Sequence, residues 1–344
     1  LNMNLKNSSV IKKIPKLLKD KFDNKRINKI YNSFEKSLDI DQSFIVAVSG
    51  GPDSMALAFF AKIYSIRKKL ISKFFIVDHK LRPNSTSEAK NVKRVLKKLS
   101  IDAKILTWNG KKPTKNIQSL ARKKRYELLF NRCDYLRISN ILLGHHQDDL
   151  FENFFIRILR GSGLKGLISL SKKTKINNIN LLRPLCHLQK NDLIFVANKV
   201  FNFYVQDSYN EDEKFQRIKV RKFIKKLKLN GLDKKKFFTT LNNLNHSNDV
   251  VNFYVEQNLI KNSFLKYKRD KLILNNSFFR QPYEIVFRSF SVSLRIIGNK
   301  YYSARGKKIS RVIDEIMNNR LTKTTLSGCI IEKVNQSVII SKER

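Results

Sequence analysis

Apolar positions in the first half of the chain switch between two periods. Short apolar runs at Phe44–Val48, Phe74–Val77, Ala103–Thr107 and Asn140–Gly144 predict buried strands. Helical spacing predicts helices over Asp53–Lys69, about Ser85 to Leu99, and Ile117–Leu136, and the fourth strand runs into a helix through Arg160. Strand–helix alternation implies right-handed parallel crossovers, hence an α/β fold with a doubly wound parallel sheet. Such sheets bind ligands beyond the carboxyl ends of their strands, so the residues after each strand are the first candidates for chemistry. From about Asp207 to about Asn262 the pattern becomes helical. It is followed by a hairpin (Phe264–Tyr267, Leu272–Leu274), helices over about 282–297 and 306–319, and a closing hairpin (Cys329–Val334, Ser337–Ser341). This predicts smaller C-terminal α+β and helical domains.

Charge sharpens the picture. The 344 residues include 70 Lys and Arg against 28 Asp and Glu, a net charge of +42. That balance points to polyanions, nucleic acid first and an anionic membrane surface second. Lys, Asn, Ile and Phe are abundant throughout, which inflates the total, so local clustering carries more weight. Between Lys214 and Lys236 lie eleven Lys or Arg and one acid, Asp233. Such a stripe suits salt-sensitive binding of RNA or DNA, the alternative being a solvated helix face. No apolar run reaches the ~18 residues of a membrane span. The N-terminus lacks the apolar core of a signal peptide. Cys133, Cys186 and Cys329 are isolated in sequence, which excludes a C-x-x-C zinc ribbon and fits a reducing cytoplasm.

The strongest chemical signal is Ser49-Gly50-Gly51-Pro52-Asp53-Ser54, between the first strand and its helix. Two glycines permit a tight turn and close approach to an anion. The following helix aims unpaired N–H groups at the same place. Pro52 suits the first helical turn, and Ser49 and Ser54 add hydroxyls. A carboxylate at Asp53 would repel a bare phosphate, so it makes sense with a divalent cation between them. Gly161–Gly166 reads G-x-G-x-x-G but follows a helix, so it lacks the context of a dinucleotide fingerprint.

A second constellation runs from Gly144 to Asn153. At 100° per residue His145, Asp149 and Glu152 share one helical face. Phe151, Phe154, Phe155, Ile158 and Leu159 cover the other, toward the core. The acids could bind metal or hold an ammonium group, whereas a solvated first turn would account for Asp148 alone. Val77–Arg82 and Ala121–Tyr126 add further charged residues at strand ends and on the third helix.

Taken together, these segments resemble the PP-loop ATP pyrophosphatase (adenine nucleotide α-hydrolase) superfamily, and within it the bacterial tRNA(Ile)-lysidine synthetase family. Ser49–Ser54 is similar to S-G-G-x-D-S, Val77–Arg82 to V-D-H-x-L-R, and Ala121–Tyr126 to A-R-x-x-R-Y. Gly144–Gly163 is similar to G-H-H-x-D-D…E…R-G-S-G, with Arg183-Pro184-Leu185 after it. The resemblance implies ATP and Mg2+ as cofactors, and as substrates free L-lysine and a tRNA(Ile) with anticodon CAU. ATP would adenylate the first anticodon cytidine, and lysine would displace AMP to give lysidine. By the same resemblance, Ser49, Gly50, Gly51, Pro52, Asp53, Ser54 and Arg122 bind the nucleotide, and Asp53 also holds the metal. Asp53, His145, Asp149 and Glu152 are catalytic. Asp149, Glu152, Arg125, Arg217 and Arg221 contact substrate.

Leu150 and Asn153 depart from the family pattern, as does Tyr209 in Asp207-Ser208-Tyr209-Asn210. Arg217-Ile218-Lys219-Val220-Arg221 keeps only the basic ends of R-N-x-I-R. The expected organisation is a basic N-terminal extension (1–24), a PP-loop catalytic domain (25–206), a basic helical tRNA-contacting region (207–262) and a small α+β domain (263–344). The alternatives are a tRNA thiolase or other PP-loop tRNA-modifying enzyme, or a non-catalytic RNA-binding protein.

Overall fold

The computed structural model describes residues 14–110, 117–176, 178–206, 216–265, 270–300 and 303–343. The segment Asp207–Asn210, Lys214 and most of the expected N-terminal extension lie outside them. The chain divides into two compact units, the first ending at Leu232 and the second beginning at Asp233. That division falls inside the basic region expected over 207–262, so its two helices belong to different units.

The first unit runs α1 (Lys16–Phe22), α2 (Lys25–Ser37), β1 (Phe44–Val48), α3 (Pro52–Arg67), β2 (Ser72–Asp78), α4 (Ser85–Lys98) and β3 (Ala103–Thr107). It continues with α5 (Ile117–Leu136), β4 (Asn140–Leu142), α6 (Gln147–Ile158), α7 (Leu164–Leu167), β5 (Lys173–Ile176), β6 (Ile179–Leu182), α8 (Lys190–Phe201) and α9 (Gln216–Leu229). The strands pair in the order β3-β2-β1-β4-β6-β5. All are parallel except β5, which pairs antiparallel to β6 at the edge. Chain order reverses between β1 and β4, which opens a crevice at their carboxyl ends. The expected doubly wound sheet is therefore present.

Hydrophobic burial explains the arrangement. Phe44, Ile45 and Val46 of β1 are fully buried, each contributing roughly 1.5–3 kcal/mol. Residues Met55–Ala61 of α3 are buried without interruption, as befits a helix enclosed on all sides. On α2, Ile27, Ile30, Tyr31 and Phe34 form one apolar stripe, with Phe34 and Tyr31 packed on Phe60 of α3. Asn24 caps that helix, its Oδ1 accepting from the Arg26 and Ile27 amides.

Elements after β4 depart from expectation in detail. The strand stops at Leu142 and the helix begins only at Gln147, so His145 lies in the irregular segment before α6 rather than on its face. Ile158 and Leu159, expected toward the core, are 47% and 65% exposed. The buried face of α6 is Phe151, Glu152 and Ile156. The helix ends short of Arg160 because Gly161, at φ +64°, turns the chain out of it. The G-x-G-x-x-G run accordingly follows a helix and leads from a turn into the short α7 at Leu164.

The second unit contains α10 (Lys234–Asn262), β7 (Ser263–Leu265), β8 (Lys271–Leu274), α11 (Asn276–Phe279), α12 (Tyr283–Ile297), α13 (Gly306–Met317), β9 (Lys323–Leu326), β10 (Cys329–Val334) and β11 (Ser337–Lys342). Its antiparallel sheet has the order β7-β8-β11-β10-β9. The closing hairpin is present, and β7 pairs antiparallel with β8 as expected, Tyr267 of the predicted strand lying outside the described residues; β9 adds an edge strand not predicted from the sequence. Leu274, Phe278, Phe290, Ile313, Ile331 and Ile340 are completely buried between sheet and helices.

Candidate active site

The loop between β1 and α3 is a tight structure held by its own serine. Ser54 Oγ accepts from the amides of Ser49 and Gly50, both at 3.1 Å, and donates to the Gly51 carbonyl at 3.0 Å. Gly50 has φ +91°, and a Cβ there would lie 2.7 Å from Val92 Cγ2 and 2.9 Å from Val205 Cγ2. Its carbonyl accepts from the Val205 amide, tying the loop to the segment after α8. Gly50→Ala is therefore expected to cost about 1–3 kcal/mol, read from the urea unfolding midpoint, and to weaken ATP binding in parallel. Gly51 caps α3 and Pro52 opens it, leaving the first-turn amides of Asp53 and Ser54 without intrahelical acceptors.

The end of β4 closes on this loop. A Cβ on Gly144 would stand 3.2 Å from the Ser54 backbone in the first turn of α3, tighter than most side chains approach, so glycine eases this close contact. Two residues on, His146 caps α6: its Nδ1 accepts from the Asp148 amide at 3.2 Å, and its own amide donates to Asp149 Oδ2 at 3.0 Å. That bond leaves Nε2 as the protonated ring nitrogen. It stands 3.6 Å from Asp53 Oδ2 and 3.6 Å from Asp149 Oδ2, between the β1–α3 turn and the first turn of α6.

The electrostatics of these acids differ. Burial pushes the Asp53 carboxyl above the usual range, more than His146 and Lys190 draw it down. Burial also acts on Asp149, but there His146, His145, the His146 amide and Arg217 outweigh it and hold the carboxyl below the usual range. Burial, reinforced by Arg183, Arg122 and Arg217, pushes His145 down to about 3, so its ring is neutral at pH 7. Its Nδ1 is buried without a partner, as is Asp53 Oδ1.

Among the described residues no group of three or more His, Cys, Asp or Glu is placed to hold a metal alone. The orphaned Asp53 oxygen beside an anion-binding helix end nevertheless fits Mg2+, which commonly takes one or two carboxylates and completes its shell with phosphate oxygens and water.

Glu152 is 4% exposed and paired with Arg221 of α9, whose Nε and Nη2 reach its two oxygens at 2.5 and 3.3 Å. Arg125 donates to His79 Nε2 at 3.3 Å, and Arg122 lies over the Tyr126 ring at 5.3 Å. Arg183, Arg122 and Arg217 all act electrostatically on His145, and Arg217 acts on Asp149 as well. Asp78 has a structural position: it accepts from Thr86 Oγ1 and the Lys80 amide, clamping β2 to the start of α4. Arg183 donates to the Ser171 carbonyl and Thr174 Oγ1, bracing the approach to β5.

The structure brings the predicted Asp53 and Asp149 to either side of His146, a residue the sequence pattern did not single out, and Lys190 is a second such residue. His146 had a signal, since it immediately precedes a run with Asp at the third helical position, the pattern of a capping box. Lys190, which acts on Asp53 from the start of α8, had none beyond a charge after a turn.

Comparisons with known proteins agree with this geometry. The PP-loop domain family matches residues 19–228. A tRNA(Ile)-lysidine synthase from Orientia tsutsugamushi (strain Boryong) is 33% identical over 306 residues, covering 87% of this chain and 69% of its own. Another from Wolbachia sp. subsp. Brugia malayi (strain TRS) is 29% identical, covering 87% and 70%. Among solved structures, the U34-tRNA thiolase NcsA from Methanococcus maripaludis with its 4Fe-4S cluster has a TM-score of 0.54. The match covers 64% of this chain and 78% of that one at 16% identity, a likeness of fold alone. The three cysteines here are free, and burial pushes Cys133 up to about 12 and Cys329 up to about 11 and raises Cys186, which disfavours reactive thiolates. With the nucleotide loop, the acidic helix and the relatives in agreement, the chain belongs to the tRNA(Ile)-lysidine synthase family of PP-loop proteins.

Proposed function

We propose that this ATP-dependent tRNA-modifying ligase joins free L-lysine to C2 of the first anticodon cytidine of a tRNA(Ile) with anticodon CAU. The observation that carries the reading is the placement of His146, 3.6 Å from the nucleotide-loop carboxylate of Asp53 and 3.6 Å from Asp149. Two half-sites meet there, one suited to a triphosphate and one to an ammonium.

In the first step the cytidine O2 attacks the α-phosphate, pyrophosphate leaves and an adenylated cytidine remains. The first-turn amides of α3 and the loop hydroxyls orient the phosphates, with Arg122 at the rim. Asp53 would hold Mg2+, which when bound neutralises charge on the departing pyrophosphate. In the second step the lysine ε-nitrogen bonds to C2 and the C2–O bond breaks, releasing AMP. Asp149, held ionised, binds the incoming ammonium. Glu152, oriented by Arg221, lines the same pocket, and a carboxylate or bound water there takes the proton that the amine must lose before it attacks. No helix among the described residues is long and apolar enough to cross a membrane.

The test is incubation with ATP, labelled lysine and the tRNA transcript, followed by nucleoside mass analysis. A cytidine enlarged by lysine less water supports the reading. Sulfur incorporated from labelled cysteine would instead indicate a thiolase, and absence of pyrophosphate release with all three substrates would indicate a binding protein. Exposed Lys222, Lys225 and Lys226 on α9 belong to the RNA-facing surface in this reading. Changing all three to Gln is expected to flatten the slope of log K against log salt by about 2. An unchanged slope would return that face to plain solvation.

A further inference from the structure

A loop base that leaves its stack needs a new surface, and proteins supply aromatic rings set among cations for it. The α6–α9 pair carries such a surface. Phe155 of α6 and Phe223 of α9 meet edge to face, with centroids 5.7 Å apart and ring planes at 82°. Phe154 braces Phe155 in turn at 5.8 Å and 86°. Phe223 is thus held from one side while 47% of its surface stays open. Phe223 thus offers a braced, half-exposed ring face among cations.

Charge decides between occupants. The exposed neighbours on α9 are Lys219, Lys222, Lys225 and Lys226, and the helix from Gln216 to Leu229 contains no acid. A rim of one sign suits a polyanion. Position narrows it further. Phe155 follows Glu152 by three residues and Phe223 follows Arg221 by two, so the ring pair begins within about 4.5 Å, along the helix axis, of the ion pair beside the acid pocket. A base stacked there belongs to a nucleotide next to the reacting one.

We propose that Phe223, backed by Phe155, is the stacking platform for a base flanking the target cytidine in the anticodon loop. The inference rests on the function proposed above and adds to it the residue that holds the loop open. Binding is read by fluorescence anisotropy, without ATP, on a labelled anticodon stem-loop with a CAU loop and on two versions abasic at either flank of the cytidine. Phe223→Ala weakens binding of the intact loop about 5- to 100-fold, Phe223→Trp restores it, and the salt slope stays unchanged. One abasic loop binds the wild type as weakly as Phe223→Ala binds the intact loop, and loses nothing further in that variant. An Ala variant with wild-type affinity overturns the platform while leaving the proposed function standing, as does an equal loss on all three loops. Wild-type protein that fails to bind the intact loop overturns both.

Discussion

Asp53→Asn is expected to lower ATP-dependent pyrophosphate release by about 10²–10³-fold while tRNA affinity stays within about twofold. The substitution keeps the shape of the side chain and removes its charge, so only the electrostatic role is lost. Asp53 stands in the first turn of α3, where a carboxylate and a triphosphate repel unless a cation lies between them. Removing the charge should therefore abolish the Mg2+ dependence of ATP binding and leave metal-free ATP bound at least as well. A second readout is stability. Because burial raises the Asp53 pKa, the unfolded chain gives up this proton at lower pH than the folded one. The wild type accordingly loses stability as pH rises from the ordinary carboxylate range through the folded pKa, and Asp53→Asn should show a higher Tm above that window. Retained turnover together with an unchanged Tm would assign Asp53 another role.

The second large effect concerns Glu152 and Arg221. Arg221→Ala leaves a buried carboxylate facing no cation, and removing one partner of a buried pair costs roughly 3–5 kcal/mol. The Arg221 side chain is 34% exposed, so solvent screening brings the expected loss to about 2–3 kcal/mol in urea unfolding. Glu152→Gln with Arg221→Ala should recover most of that stability. The double variant should nonetheless keep a raised KM for lysine and slowed formation of the modified nucleoside, because the proposed lysine site has lost its second carboxylate. Recovery of stability together with wild-type lysine kinetics would make the pair a structural clasp between α6 and α9 and remove Glu152 from the lysine pocket.

Some readings were possible because the physics is local. A strand, two glycines, a proline and an acid at a helix start predict an anion site with a metal, since turn geometry, missing amide acceptors and charge all reside within six residues. The four predicted parallel strands and their helices were legible for the same reason, their apolar runs alternating with helical periods. The β5–β6 hairpin was not, because its strands are only four residues long and β5, Lys-Thr-Lys-Ile, carries too little apolar pattern. The helix α2, with apolar positions at 27, 30, 31 and 34, had a readable stripe that went unread.

Pairings across the fold lay beyond any local pattern. Nothing in the order of residues says that Glu152 and Arg221, 69 positions apart, neutralise one another, or that Phe155 lies against Phe223. The sequence pointed to His145 through helical periodicity, but the helix begins only at Gln147, so His146 took the position between Asp53 and Asp149. Which side chains carry charge chemistry was determined by composition and short-range spacing. Which of them face one another was decided by packing, because distances between elements follow from how the sheet and its helices bury their apolar faces.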